Sequence, residues 1–258
     1  MNLEERYKKV IEDNVNVGER SDGKEFFILL AGLVAFCLLV FIFADSISNV
    51  FIDNMSNKTQ RKIENAISFG TITHRTVNSN KIAQLEAIRN RIVRLDKNLQ
   101  GKSNFPINII NDKSINAFVY PNGTIYFTSG LLKEINDEEI LTFVLAHELG
   151  HYAHRDHLKS ISRDIISSTI MTIVTCGQKD MNITVSNISN LTGLKYSRRQ
   201  EKAADKYANR VVFRIYGRNT GAVKFFKYLQ AKEKTPEFLY YFSTHPSTKE
   251  RLNLLQER

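Results

Sequence analysis

Cysteine is nearly absent from this chain, with 2 among 258 residues. Cys37 sits inside an apolar run and Cys176 lies far downstream, so a disulfide between them is not expected. Neither has a C-x-x-C neighbour, which leaves thiol metal binding and thiol redox chemistry without support. Stability must then come from packing, and the roughly 210 residues after the run are enough for one sizeable core. Internal repeats and low-complexity tracts are also missing. So is a stacking motif or a basic run of the kind that binds nucleic acid, because Lys and Arg are spread along the chain. Nucleic acid is therefore not an expected partner, although the formal net charge is +9.

Long apolar runs are scarce too, which makes the one at Phe26–Ala44 stand out. It is uncharged and about 19 residues long, enough to cross the hydrocarbon core as a helix. A cleaved signal peptide has a shorter apolar region, a short basic leader and small residues at the cut. Here some 25 residues precede the run, acids are frequent among them, and no A-x-A-like site follows, so an uncleaved anchor is the expectation. Before it lie Arg6, Lys8, Lys9, Arg20 and Lys24; after it, at similar range, lie Lys58, Arg61 and Lys62. This bias places the N-terminus inside and the rest of the single-pass chain outside the cytoplasm. Residues 1–25 hold five basic and seven acidic groups, a net −2, so the remaining residues carry +11 within a chain total of +9. A basic domain tethered to a membrane can lie against anionic lipid or attract acidic polypeptide.

The chain then divides into a tail (1–25), the anchor (26–44), a polar, amide-rich stalk or linker (45–80) and a catalytic domain (81–258). His74 in the stalk reads as a surface residue. Ile82, Leu85, Ile88, Ile92, Leu95 and Leu99 recur at helical spacing and read as core. Phe105–Ile110 looks like a first strand. Ala117–Tyr120 and Thr124–Phe127 flank Pro121-Asn122-Gly123, a hairpin signal. Ile165–Cys176 is too short to span a membrane and rich in Ser and Thr; it reads as a core helix, with a membrane-dipping helix as the alternative. Lys224–Lys232 looks like a helix before Thr235-Pro236.

Chemistry concentrates at His147-Glu148-Leu149-Gly150-His151, an H-E-x-x-H pattern that follows the apolar run Ile140–Ala146. Asp137, Glu138 and Glu139 at its start suit a helix N-terminus. Residues four apart share a helix face, so His147 and His151 can offer two imidazoles to one metal ion. Glu148 lies about 100° round from His147 and can reach a water on that metal. A catalytic zinc usually takes a third protein ligand. His157 falls at the position of a third histidine, but the glycine turn that would return it is replaced by His154. Glu201 is the better candidate. It shares a helix face with Asp205 in a segment whose small residues permit close packing, so one carboxylate can bind metal and the other can hold a ligand histidine.

With Asn116-Ala117-Phe118, Pro121-Asn122-Gly123, Phe127–Leu132, Glu201-x-x-Ala204-Asp205 and Ser243-Thr244-His245-Pro246-Ser247 in order around that motif, the chain resembles the gluzincin zinc metallopeptidases. This group includes HtpX, BepA and the CAAX prenyl endopeptidases. Its strand turn usually has two glycines after the proline; Asn122 replaces the first, and asparagine tolerates positive φ. The resemblance implies a mainly helical α+β domain of zincin type with a small β-sheet, behind one N-terminal transmembrane helix. It implies one zinc per chain, held by His147, His151 and Glu201. Peptide bonds would be hydrolysed by a zinc-activated water with Glu148 as general base. It places Asn116 and Ala117 beside the cleft as backbone contacts for an extended polypeptide. It also brings a His-Pro near the metal, so His245 would stabilise the tetrahedral intermediate or close the site in a latent form. The competing view of His245 is a loop residue before a last helix capped by Ser247. Cleavage of misfolded membrane or envelope proteins is the implied task. A protease-fold chaperone or assembly factor that seldom cuts is the alternative. Oligomeric state is not legible.

Overall fold

The computed structural model describes residues 2–12, 23–67, 75–76, 79–174 and 195–232, with Tyr241, His245 and Arg251. His74, Cys176, Thr235-Pro236 and the Ser247 cap lie outside the described residues. The chain divides into two compact units, Met1–Phe43 and Ala44–Arg258. The first holds α1 (Leu3–Glu12) and the larger part of α2 (Lys24–Asp53). α2 contains the apolar run and is long and apolar enough to cross a membrane. It runs beyond Ala44 to Asp53 as one helix of 30 residues.

The second unit is mainly helical with one small sheet. Residues 45–80, expected as a stalk or linker, are helical over most of their described part. They carry the end of α2, then α3 (Asn57–Ile67), in which Gln60 and Glu64 are buried. Both buried positions of α3 are polar, so the helix carries no hydropathy signature. β1 (Arg75–Thr76) and α4 (Ser79–Leu95) follow. In and just after α4, Leu85, Ile88, Ile92 and Leu99 are fully buried, as their spacing predicts.

β2 (Ile107–Ile110), β3 (Ala117–Val119) and β4 (Ile125–Thr128) join β1 in the order β1-β2-β4-β3. β2 runs parallel to β4, and β3 is antiparallel to β4 with Ala117 opposite Phe127. The hairpin forms as expected, but the positive φ falls on Gly123 (83°) and not on Asn122. The Asn122 side chain instead accepts from the Thr124 N–H at 2.9 Å. β3 is thus an edge strand, and it packs against the helix that carries the H-E-x-x-H motif.

That helix is α6 (Glu138–Ala153), reached through α5 (Ser129–Glu134). Asp137 caps α6 by accepting from the N–H groups of Glu139 and Ile140. Every residue from Glu139 to Tyr152 is buried, so α6 runs through the centre of the unit and has no solvent face. α7 (Asp156–Val174), α8 (Arg198–Tyr216) and α9 (Thr220–Lys232) surround it. α8 starts with a capping box between Ser197 and Gln200 and ends on Gly217 in the left-handed region. Gly150 sets the α6–α8 distance: a Cβ there would stand 3.1 Å from Tyr207 Cδ1 and 3.3 Å from Ala204 Cα. α7 departs from the expected core helix. It is buried through Ile161, whereas Ile165 and Ile173 are about half exposed, at 47% and 50%.

Candidate metal centre

α6 and α8 bring His147, His151 and Glu201 together, and His245 joins them from beyond α9. One donor atom from each of the four lies within 4.8 Å of the others, and all four are buried. The Nε2 atoms of His147 and His151 are 3.1 Å apart. Glu201 lies 3.5 Å from the first and 3.3 Å from the second. His245 Nδ1 is 2.9 Å from Glu201 Oε1 and 3.4 Å from His147 Nε2.

The opposite edge of each ligand ring faces a carboxylate. His147 Nδ1 is 3.0 Å from Asp205 Oδ1, the partner expected from the four-residue spacing on α8. His151 Nδ1 is 2.9 Å from Asp156 Oδ2. A ring nitrogen beside a carboxylate carries the proton, so in its neutral form each ring turns an Nε2 lone pair toward one buried point. Two lone pairs and a carboxylate at that separation repel unless a cation or a proton lies between them. The donors fit a metal ion: two imidazoles and one carboxylate are a zinc set, and zinc is the usual ion for such sites. Burial pushes both imidazoles down. It prevails at His147, which falls to about 4, but at His151 the Asp156 and Glu201 carboxylates outweigh it and raise the ring to about 10.

Glu148 sits next to this point, with Oε1 3.7 Å from His245 Nε2. Its Oε2 has no hydrogen-bond partner among the described residues. Burial raises its carboxyl above the ordinary range, which makes it a stronger base than a solvated glutamate. Asn116 is buried at the start of β3, its backbone pinned by Thr128, and its Oδ1 has no partner among the described residues. His157 is not in the cluster: it meets Glu64 at 3.1 Å and stacks on Tyr152. His154 caps the C-terminus of α6 and faces Tyr207.

Three residues of the site escaped the motif reading. Asp156 follows Arg155, whose φ of 58° breaks the helix and turns the chain back onto His151. Tyr196 stacks on the His151 ring at 3.9 Å between centroids. Arg251 reaches Asp205 through two bonds of 2.6 and 2.7 Å and Glu201 at 2.9 Å. The available signals are an acid just beyond the second histidine and an arginine shortly after His245. Neither fits a helical period, so neither is found by spacing. Because Asp156 faces the His151 ring, Asp156→Asn is expected to lower zinc affinity by about 10- to 100-fold. Competition with a chromogenic chelator measures this, and an unchanged affinity removes Asp156 from the centre.

Two buried histidines on one helix, a carboxylate from a later helix and a buried glutamate beside them form the arrangement of a metallopeptidase site. Residues 79–258 match peptidase family M48, and the chain belongs to that family. It is 28% identical over 154 residues to the mitochondrial metalloendopeptidase OMA1 of Schizosaccharomyces pombe, covering 58% of this chain and 45% of the relative. Human OMA1 is 27% identical over 184 residues, covering 64% of this chain and 34% of the relative. The metalloprotease LoiP of Escherichia coli is 25% identical over 223 residues, covering 83% of each. The chain thus spans less than half the length of the OMA1 relatives.

Proposed function

We propose that this chain is a membrane-anchored zinc endopeptidase, held latent by His245, that cuts misfolded membrane or envelope proteins. The observation that carries the reading is the convergence of the two Nε2 lone pairs and Glu201 beside a partner-free Glu148 oxygen. His147, His151 and Glu201 hold the zinc, which supplies Lewis acidity toward a peptide carbonyl and a water. Asp205 and Asp156 keep the two rings in the tautomer that binds. Glu148 removes a proton from the attacking water and passes it to the leaving amine. An extended polypeptide lies along the β3 edge with Asn116 and Ala117 as its contacts, which suits broad sequence tolerance.

α2 anchors the enzyme, and the excess of basic residues before it puts the second unit outside the cytoplasm. Membrane lipid and polypeptide are its partners, and the tail, anchor and catalytic regions act as separate segments. The metalloendopeptidase and metalloprotease names of its relatives support a protease, and leave the substrate open.

His245 as a fourth donor favours latency over transition-state binding. Full-length parent and His245→Ala should each hold one zinc, and the variant should cleave casein severalfold faster. Slower cleavage with zinc retained would reassign His245 to the tetrahedral intermediate. Failure of both proteins to hold zinc removes the central reading.

A further inference from the structure

α7 changes character halfway along. From Asp156 to Ile161 it is buried, apart from partly covered Lys159. From Ile165 to Val174 it carries no ionisable residue, and Ile165, Met171 and Ile173 are 47%, 39% and 50% exposed. These three spread over a wide arc of the helix, with Ile170 on the buried side. A solvated helix face normally carries charges. Its two threonine hydroxyls are satisfied internally: Thr169 Oγ1 donates to the Ile165 carbonyl at 2.8 Å and Thr172 Oγ1 to the Ser168 carbonyl at 2.9 Å. Such bonds return a side-chain donor to the helix and leave little for water to bind.

Two ion pairs fix the direction of α7. Lys159 meets Asp53 at 2.7 Å and Arg163 meets Asp45 at 3.0 Å. α7 therefore runs antiparallel to the end of α2 over residues 45–53. Arg163 also donates to the Lys195 carbonyl at 2.8 Å, which ties the start of the next segment to the same level. There Lys195, Arg198, Arg199 and Lys202 are exposed within one short stretch.

We propose that Ile165–Val174 lies in the bilayer, with the cationic stretch Lys195–Lys202 on anionic phospholipid headgroups. The inference rests on α2 being a membrane anchor. Apolar exposed surface on an uncharged stretch of helix, flanked by clustered cations, is the pattern of an interfacial helix. The catalytic unit is then seated on the membrane by a second contact.

The chain contains no tryptophan, so a single introduced indole reports its own surroundings. Three full-length variants are reconstituted in vesicles of phosphatidylcholine and phosphatidylglycerol with brominated acyl chains. Ile173→Trp tests α7, Phe36→Trp marks the anchor, and Lys133→Trp marks an exposed position on α5. Bromolipid should quench the first two and leave the third bright. Quenching of Phe36→Trp with Ile173→Trp unquenched overturns the proposal and leaves the anchor standing. An unquenched Phe36→Trp removes the anchor and the proposal together. In the Ile173→Trp chain, the added changes Arg198→Gln, Arg199→Gln and Lys202→Gln should reduce quenching in these vesicles but not in phosphatidylcholine alone. An identical response in both overturns the headgroup contact.

Discussion

Glu148→Gln slows casein cleavage by about 10²- to 10⁴-fold, the usual contribution of a positioned general base, and leaves the zinc content unchanged. Glutamine keeps the volume and the polar atoms of a side chain that is buried at 2% exposure, so the packing around it survives. None of the metal donors is touched, because His147, His151 and Glu201 are separate groups. What is lost is a basic oxygen. In the parent, burial holds the Glu148 carboxyl above its ordinary range, and only its ionised form can take a proton. Cleavage by the parent therefore falls as pH drops through that raised value, and the acid limb is absent from the residual activity of the variant. A rate within tenfold of the parent at neutral pH, with zinc retained, would remove Glu148 from the reaction.

The part of the site that was legible in the sequence is the part written in helical periods. His147 and His151 share a face because they are four apart, and the same spacing places Asp205 with Glu201 on α8. The small residues of the second segment do permit close packing, since Ala204 and Tyr207 crowd Gly150. The apolar stripe of α4 and the hairpin were readable for the same reason: local pattern and burial agree.

What was not legible depends on long-range polar contacts. Glu64 on α3 faces His157 at 3.1 Å, a contact across a separation no pattern encodes. The chain reversal at Arg155 requires a left-handed residue that is not glycine. Its guanidinium holds the Ile52 and Met55 carbonyls at 2.8 Å each, contacts made only once the fold exists. The exposed half of α7 is illegible for a different reason: apolar composition alone cannot tell a core face from an exposed one.

Arg251→Met destabilises the catalytic unit by about 3–5 kcal/mol at neutral pH, the cost of removing one partner from a buried ion pair. Methionine keeps much of the volume, so the loss is chiefly electrostatic. Arg251 is 4% exposed and lies against Glu201 and Asp205, which are themselves buried. Burial would raise both carboxyls; the charge of His245 and Arg251 holds Glu201 well below the ordinary value, and Arg251 does the same for Asp205. Carboxyls depressed in the folded state stabilise it above their unfolded pKa, and that contribution is lost as acid protonates them. Without the guanidinium one of the cations that lower both carboxyls is lost, and their folded pKa values rise. The penalty then stands at neutral pH and is relieved on acidification. The gap in Tm between parent and variant should consequently narrow from pH 7 toward pH 4. A gap of the same size at both pH values would show that Arg251 contributes only packing. Arg251→Lys separates charge from geometry. It keeps one positive centre but loses the paired bonds to Asp205, so its Tm should fall between the other two.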